Sequence, residues 1–243
     1  MTSREVILRE MGLTPIWVNR ASVVEAPATE LSAPVVVATK LLSHDSAQSA
    51  TDREAAIENL SWDELIASIA ACTACKLCKT RTNTVPGVGD RSPSWMVIGE
   101  APGENEDKQG EPFVGKAGEL LDAMLVAIGK KRGDGVYIAN VIKCRPPGNR
   151  NPEPDEIAAC APYLNRQIAL AQPKLLLASG KFAAQTLLNS DDTVAAMRAL
   201  PAASSQRGCV PIVVTYHPSY LLRSPLEKAK AWDDLMKAKA LVA

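Results

Sequence analysis

Trp95-Met96-Val97-Ile98 runs directly into Gly99-Glu100-Ala101-Pro102-Gly103. Four apolar residues that stop at a Gly/Pro-rich turn read as a buried strand delivering a loop to the surface, and the first polar side chain of that loop is the carboxylate of Glu100. Three more runs of this kind follow: Val136-Tyr137-Ile138-Ala139, Leu175-Leu176-Leu177-Ala178 and Pro211-Ile212-Val213-Val214-Thr215. They are apolar throughout, as strands buried on both faces are. Helical patterns lie between them. Ala117, Leu120, Leu121, Met124, Leu125 and Ile128 recur at three and four residues and close on Gly129. Pro154, Asp155 and Glu156 open another helix carrying Ile157, Cys160, Leu164 and Ile168, which Pro162 should kink. Ser179-Gly180 opens a helix over Ala183–Leu188, and a last one runs from about Leu226 to the end. Strands and helices in alternation predict an α/β fold, a three-layer α/β/α sandwich with a central four-stranded parallel sheet.

Open parallel sheets bind ligands at the carboxyl ends of their strands. Glu100 follows the first strand, Asn140 the second and His217 the fourth, so three polar residues far apart in sequence are expected to meet at one edge.

Upstream, Ser61 can cap a helix with Leu65, Ile66 and Ile69 on its apolar face, ending at Cys72-Thr73-Ala74-Cys75-Lys76-Leu77-Cys78. Before it lie a short helical pattern around Arg4–Met11 and, from Ala21 to about Ala50, a stretch of Ala, Val, Ser, Thr and Pro with few charges. Such composition has little core to bury. Residues 1–60 therefore read as a flexible extension, an inert tail or an arm for an unknown partner, and 61–243 as one folded domain.

Across the 243 residues, Lys+Arg and Asp+Glu are both 27, so any nucleic-acid surface must be a local basic patch. No apolar run approaches the ~20 residues of a membrane span, and the N-terminus has no secretory pattern. These features predict a cytoplasmic protein without membrane contact, here read as a monomer. Six cysteines in such a chain argue for metal binding or plain burial over a disulfide framework. Cys72 and Cys75 form a C-x-x-C pair with Cys144 and Cys160 far downstream, a set that suits a structural zinc or an iron–sulfur cluster. Cys78 could supply a third local ligand. Cys160 also fits an apolar helix face as a small hydrophobe, and Cys209 precedes a buried strand. Lys76, Lys79 and Arg81 near the first cysteines, and Lys143, Arg145 and Arg150 near the third, suggest one phosphate-contacting surface.

Taken in order, Gly99–Gly103, Glu106-Asp107, the stretch from Gly110 to Gly118 around Pro112-Phe113-Val114-Gly115, the stretch from Asn140 to Arg150 around Lys143-Cys144-Arg145-Pro146-Pro147, and His217-Pro218-Ser219-Tyr220-Leu221-Leu222-Arg223 resemble the family-4 uracil-DNA glycosylases, the iron–sulfur branch of that superfamily. The resemblance covers about Trp62 to the C-terminus. It implies hydrolysis of the bond between uracil and deoxyribose in single- or double-stranded DNA, the opening step of base excision repair. It also implies a 4Fe-4S cluster on Cys72, Cys75, Cys144 and Cys160, with Cys78 and Cys209 free.

By the same resemblance, Phe113 would stack on a uracil extruded from the helix. Asn140 would read its edge, since a fixed amide leaves cytosine with an unpaired polar group. His217 would donate to a uracil carbonyl as charge builds on the departing base. Glu100 would orient water or stabilise positive charge on the sugar. Related enzymes carry an aspartate where this chain has Ala101, so water activation is not tied to one residue. The backbone of Ala101 and Gly103 would help bind the base. Tyr220, Leu221, Leu222 and Arg223 would wedge into the vacated space and grip phosphates, with Lys143 and Arg145 adding contacts to DNA. Arg145 to Asn151 is short and lacks the histidine by which one relative traps the base site, which predicts turnover. The competing reading is a non-catalytic iron–sulfur or zinc DNA-binding module.

Overall fold

The computed structural model describes residues 52–201, 203–204 and 210–242. The expected helix at Arg4–Met11, the segment from Ala21 to Ala50 and Cys209 lie outside them. The run Trp95–Gly99 forms β2, the centre of the sheet. It pairs in parallel with β3 (Val136–Asn140) on one side and β4 (Leu175–Ser179) on the other, and β4 pairs in parallel with β6 (Pro211–Thr215). The four expected strands are therefore adjacent and parallel.

The sheet itself has six strands, not four, in the order β1-β3-β2-β4-β6-β5. The additions are β1 (Val88–Gly89) and β5 (Ala203–Ser204), antiparallel two-residue strands that shield the two edges of the parallel block. Two residues carry no readable period, and Gly89 sits at φ 130, so neither strand has a sequence signature.

Side chains of the parallel strands alternate between two layers. Met96 and Ile98 face Leu164 and Ile168 of α5 (Pro154–Ala171). Trp95 and Val97 face Leu121 and Leu125 of α4 (Lys116–Ala127) and Leu235 and Ala238 of α9 (Lys228–Val242). This alternation makes the three layers. α5 runs through Pro162 without ending, and the last helix begins at Lys228, after a 3-10 turn over Pro225–Glu227. α6 (Lys181–Leu188) follows β4 as expected. Three helices of six residues had no legible period: α3 (Glu104–Gln109), α7 (Val194–Ala199) and α8 (Pro218–Arg223).

The fold begins upstream of the expected boundary at residue 61. Residues 52–58 form α1, whose Ile57 is buried with Leu65 and Ile69 of α2 (Trp62–Ala70) and Tyr163 of α5. Arg53 Nη1 also donates to the Ala159 carbonyl at 3.0 Å. Among the described residues, no helix is long and apolar enough to cross a membrane.

Candidate active site

Strand register assembles the site. Gly99, the last residue of β2, lies opposite Asn140, the last of β3, and the turn after β6 brings His217 to the same edge. A cleft of about 440 Å³ there is lined by Glu100, Ala101, Gly103, Phe113, Asn140 and His217, the six residues expected in catalysis and base binding. A larger groove of about 750 Å³, lined by Glu54, Glu58, Arg166 and Asn189 among others, contains none of them.

Asn140 is buried, and its side-chain amide makes no hydrogen bond with any described residue while lining the cleft. Open to the cleft and unpaired within the described residues, the amide is free to pair with a ligand. Gly99 creates its space: a Cβ there would stand 2.4 Å from Asn140 Oδ1 and 2.6 Å from the Phe113 ring.

Phe113 holds a left-handed backbone, φ 56, which costs an L-residue of order 1 kcal/mol. Three devices stabilise it. Arg132 donates from Nη1 to the Pro112 carbonyl and from Nη2 to the Phe113 carbonyl, both at 2.8 Å, while its Nε donates to Asp122 at 3.0 Å. Gly118 lets α4 come close, since a Cβ there would lie 1.8 Å from the Phe113 carbonyl oxygen. Glu106 accepts from the N–H groups of Val114 (3.0 Å) and Gly115 (3.3 Å) through Oε1 and from that of Gly103 (3.1 Å) through Oε2, tying the Phe113 loop to the turn after β2. Glu106 and Arg132 carry no role in the sequence reading, because a carboxylate serving main-chain donors and a guanidinium serving carbonyls leave no pattern.

The His217 ring stacks against Phe113, with centroids 5.4 Å apart and planes at 26°. The main-chain N–H of Ser219 donates to Nδ1 at 3.2 Å, and Ser219 Oγ lies 2.8 Å from the same atom. A main-chain N–H can only donate, so the neutral ring carries its proton on Nε2. Burial, with repulsion from Arg223 behind it, brings His217 down to about 4, which keeps it neutral at physiological pH. Burial raises the Glu100 carboxyl above its ordinary value, opposed by the charge of Lys181.

The expected DNA-facing set divides. Leu221 is 1% exposed and lines an apolar groove with Leu120, Met124 and Leu235, so it cannot be the wedge. Leu222 is 44% exposed and sits on α8 between the cleft-lining Ser219 and Arg223 in sequence, one helical turn from Ser219. Tyr220 and Arg223 are exposed. Lys143 is 1% exposed and turned inward, its Nζ donating to the Asn140 carbonyl at 2.6 Å, so it cannot reach a phosphate. Arg145 donates to Asn149 Oδ1 at 2.7 Å and pairs with Glu104 at 3.5 Å. Several cations of the expected basic surface are paired within the protein: Lys76 with Glu153 at the surface, Arg150 with the buried Glu156 at 2.6 Å, and Arg81, which donates to Cys144 Sγ at 3.1 Å.

Cys72, Cys75, Cys78, Cys144 and Cys160 line a single cavity with Arg81, Lys143 and Tyr163, and all five are free thiols. No three His, Cys, Asp or Glu side chains among the described residues gather closely enough for one ion. Several thiols on one cavity wall are the donor set of either an iron–sulfur cluster or a structural zinc. Cations around the wall also suit a set of thiolates.

Comparison with known proteins agrees with this geometry. The family described as the uracil DNA glycosylase superfamily matches residues 86–236. A type-4 uracil-DNA glycosylase of Archaeoglobus fulgidus is 42% identical over 182 residues, covering 73% of this chain and 91% of its own. That of Thermotoga maritima is 41% identical over 177 residues, 72% of this chain and 91% of its own, and that of Sulfurisphaera tokodaii 40% over 186 residues, 74% and 84%. The chain belongs to the uracil DNA glycosylase superfamily and, within it, to the type-4 uracil-DNA glycosylases.

Proposed function

We propose that this chain is a monofunctional uracil-DNA glycosylase that extrudes uracil from single- or double-stranded DNA and hydrolyses its N-glycosidic bond, initiating base excision repair. The observation that carries this reading is the convergence of an unpaired amide, Asn140, an aromatic ring, Phe113, and a neutral imidazole, His217, over the glycine gap at Gly99.

Extruding a base costs a few kcal/mol, offset here by stacking on Phe113 and by Leu222 entering the vacated space. Asn140 pairs with the donor and acceptor of uracil and leaves cytosine mismatched. As the glycosidic bond breaks, negative charge moves onto the base, and Nε2–H of His217 donates to the carbonyl oxygen where it collects. The Glu100 carboxylate faces the positive charge left on the sugar and, with the turn at Ala101 and Gly103, positions the water that attacks it. Arg223 holds the flanking phosphate.

Cys72, Cys75, Cys144 and Cys160 would hold a 4Fe-4S cluster, which when bound cross-links the end of α2, the loop after β3 and α5. The enzyme works in the cytoplasm as a monomer. The test is incubation with uracil-containing DNA followed by alkali. Strand cleavage at uracil supports the reading, whereas intact DNA at micromolar protein, with DNA binding retained, leaves a non-catalytic module. Iron and sulfide analysis tests the cluster, and a colourless protein with one zinc would refute it.

A further inference from the structure

Lys143 is a lysine buried almost completely, with one conventional hydrogen-bond acceptor, the Asn140 carbonyl at 2.6 Å. An ammonium in such a place needs counter-charge. Lys143 lines the same cavity as Cys144 and Cys160. Its carbonyl accepts from Val85 N–H at 2.8 Å. Two other cations touch cavity sulfurs, Arg81 on Cys144 and Arg53 on Cys72, but their remaining hydrogen bonds go to Ala70 and Ala159, away from the cleft. Lys143 thus lines the cysteine cavity while its Nζ holds the main chain of Asn140, a residue of the base pocket.

We propose that Lys143 is a positioning residue that couples the two: thiolate charge holds its ammonium in place, and the ammonium clamps the end of β3 so that the Asn140 amide is fixed before uracil arrives. This rests on the cluster reading above. It gives the cluster a bearing on base recognition without any redox step, because the clamp's strength follows the negative charge behind it. A recognition amide displaced by about 1 Å can lose ~100-fold in rate.

The experiment compares K143M and K143Q with the unsubstituted protein, measuring iron content, single-turnover uracil excision, DNA affinity against salt, and the cluster's reduction potential. Iron in the unsubstituted protein tests the cluster reading separately from this one. K143M should keep its iron, lose about 10- to 100-fold in excision rate and bind DNA with an unchanged salt slope. K143Q, which keeps a donor without the charge, should recover part of the rate. Both should show a more negative potential, since an added electron loses a neighbouring cation. An iron-loaded K143M with full rate overturns the clamp, and an unmoved potential overturns the contact with the cluster. A salt slope smaller by about one unit would make Lys143 a phosphate contact instead. Loss of iron from both variants would reduce it to a structural part of the cavity, which also overturns the proposal.

Discussion

Ser219 N–H donates to His217 Nδ1, so the imidazole can present only a donor, Nε2–H, to the cleft. With His217 near 4 the imidazole is neutral at neutral pH, and burial raises Glu100 above its ordinary value. As pH falls, Glu100 takes up its proton at a pH above the usual carboxylate value, and His217 follows near 4. The acid limb of the rate should therefore belong to Glu100. E100Q should be slower by about 100-fold and lose that limb, its rate staying flat until His217 titrates. A limb unchanged in E100Q would assign it elsewhere. H217Q should lose ~10²–10³ in rate, and S219A, which keeps the main-chain N–H, far less.

The same histidine links stability to pH. Its folded value lies below the ordinary 6.5, so between about 6.5 and 4 the unfolded chain binds a proton that the folded one refuses. Its contribution is fully present above that window and is lost as pH falls through it, by up to about 3 kcal/mol. Denaturant unfolding from pH 7 to 4 should show the unsubstituted protein losing stability more steeply than H217Q.

Adjacent leucines should separate into different phenotypes. L221A removes a buried side chain and should cost about 2–5 kcal/mol of stability. L222A should leave stability within about 0.5 kcal/mol and slow excision from double-stranded DNA more than from single-stranded DNA, where no stacked base must be extruded. Melting curves and the ratio of rates on the two substrates check both.

Phe113 depends on Arg132. R132M removes two donors from adjacent carbonyls and leaves Asp122 without its partner, so it should cost about 1–3 kcal/mol and relax the strained backbone. Excision should fall by about tenfold or more with little change in DNA affinity, because the ring, and not the phosphates, has lost its support. Equal loss in affinity and rate would contradict this.

The parallel strands were legible because doubly buried strands are continuous apolar runs, and the carboxyl-edge rule then brought Glu100, Asn140 and His217 together. What stayed hidden has physical causes. Two-residue strands and six-residue helices are too short to show a period. The choice between Leu221 and Leu222 turns on which side of one helical turn faces Leu120 and Leu235, which local sequence does not fix. Lys143 reads as a surface cation because local sequence does not show that its side chain turns inward to the Asn140 carbonyl, nor that Cys160, seventeen residues on, lines the same cavity. Glu106 and Arg132 act on main-chain atoms, which every residue has.

The pairing of Gly99 with Asn140 bears on recognition as well as on the fold. A slip of one residue between β2 and β3 would turn the Asn140 side chain to the opposite face of the sheet. The two strands are joined by a crossover of about thirty-six residues, so the two walls of the pocket that they carry come from distant parts of the chain. One backbone pairing therefore sets both where the recognition amide stands and whether it faces the cleft at all.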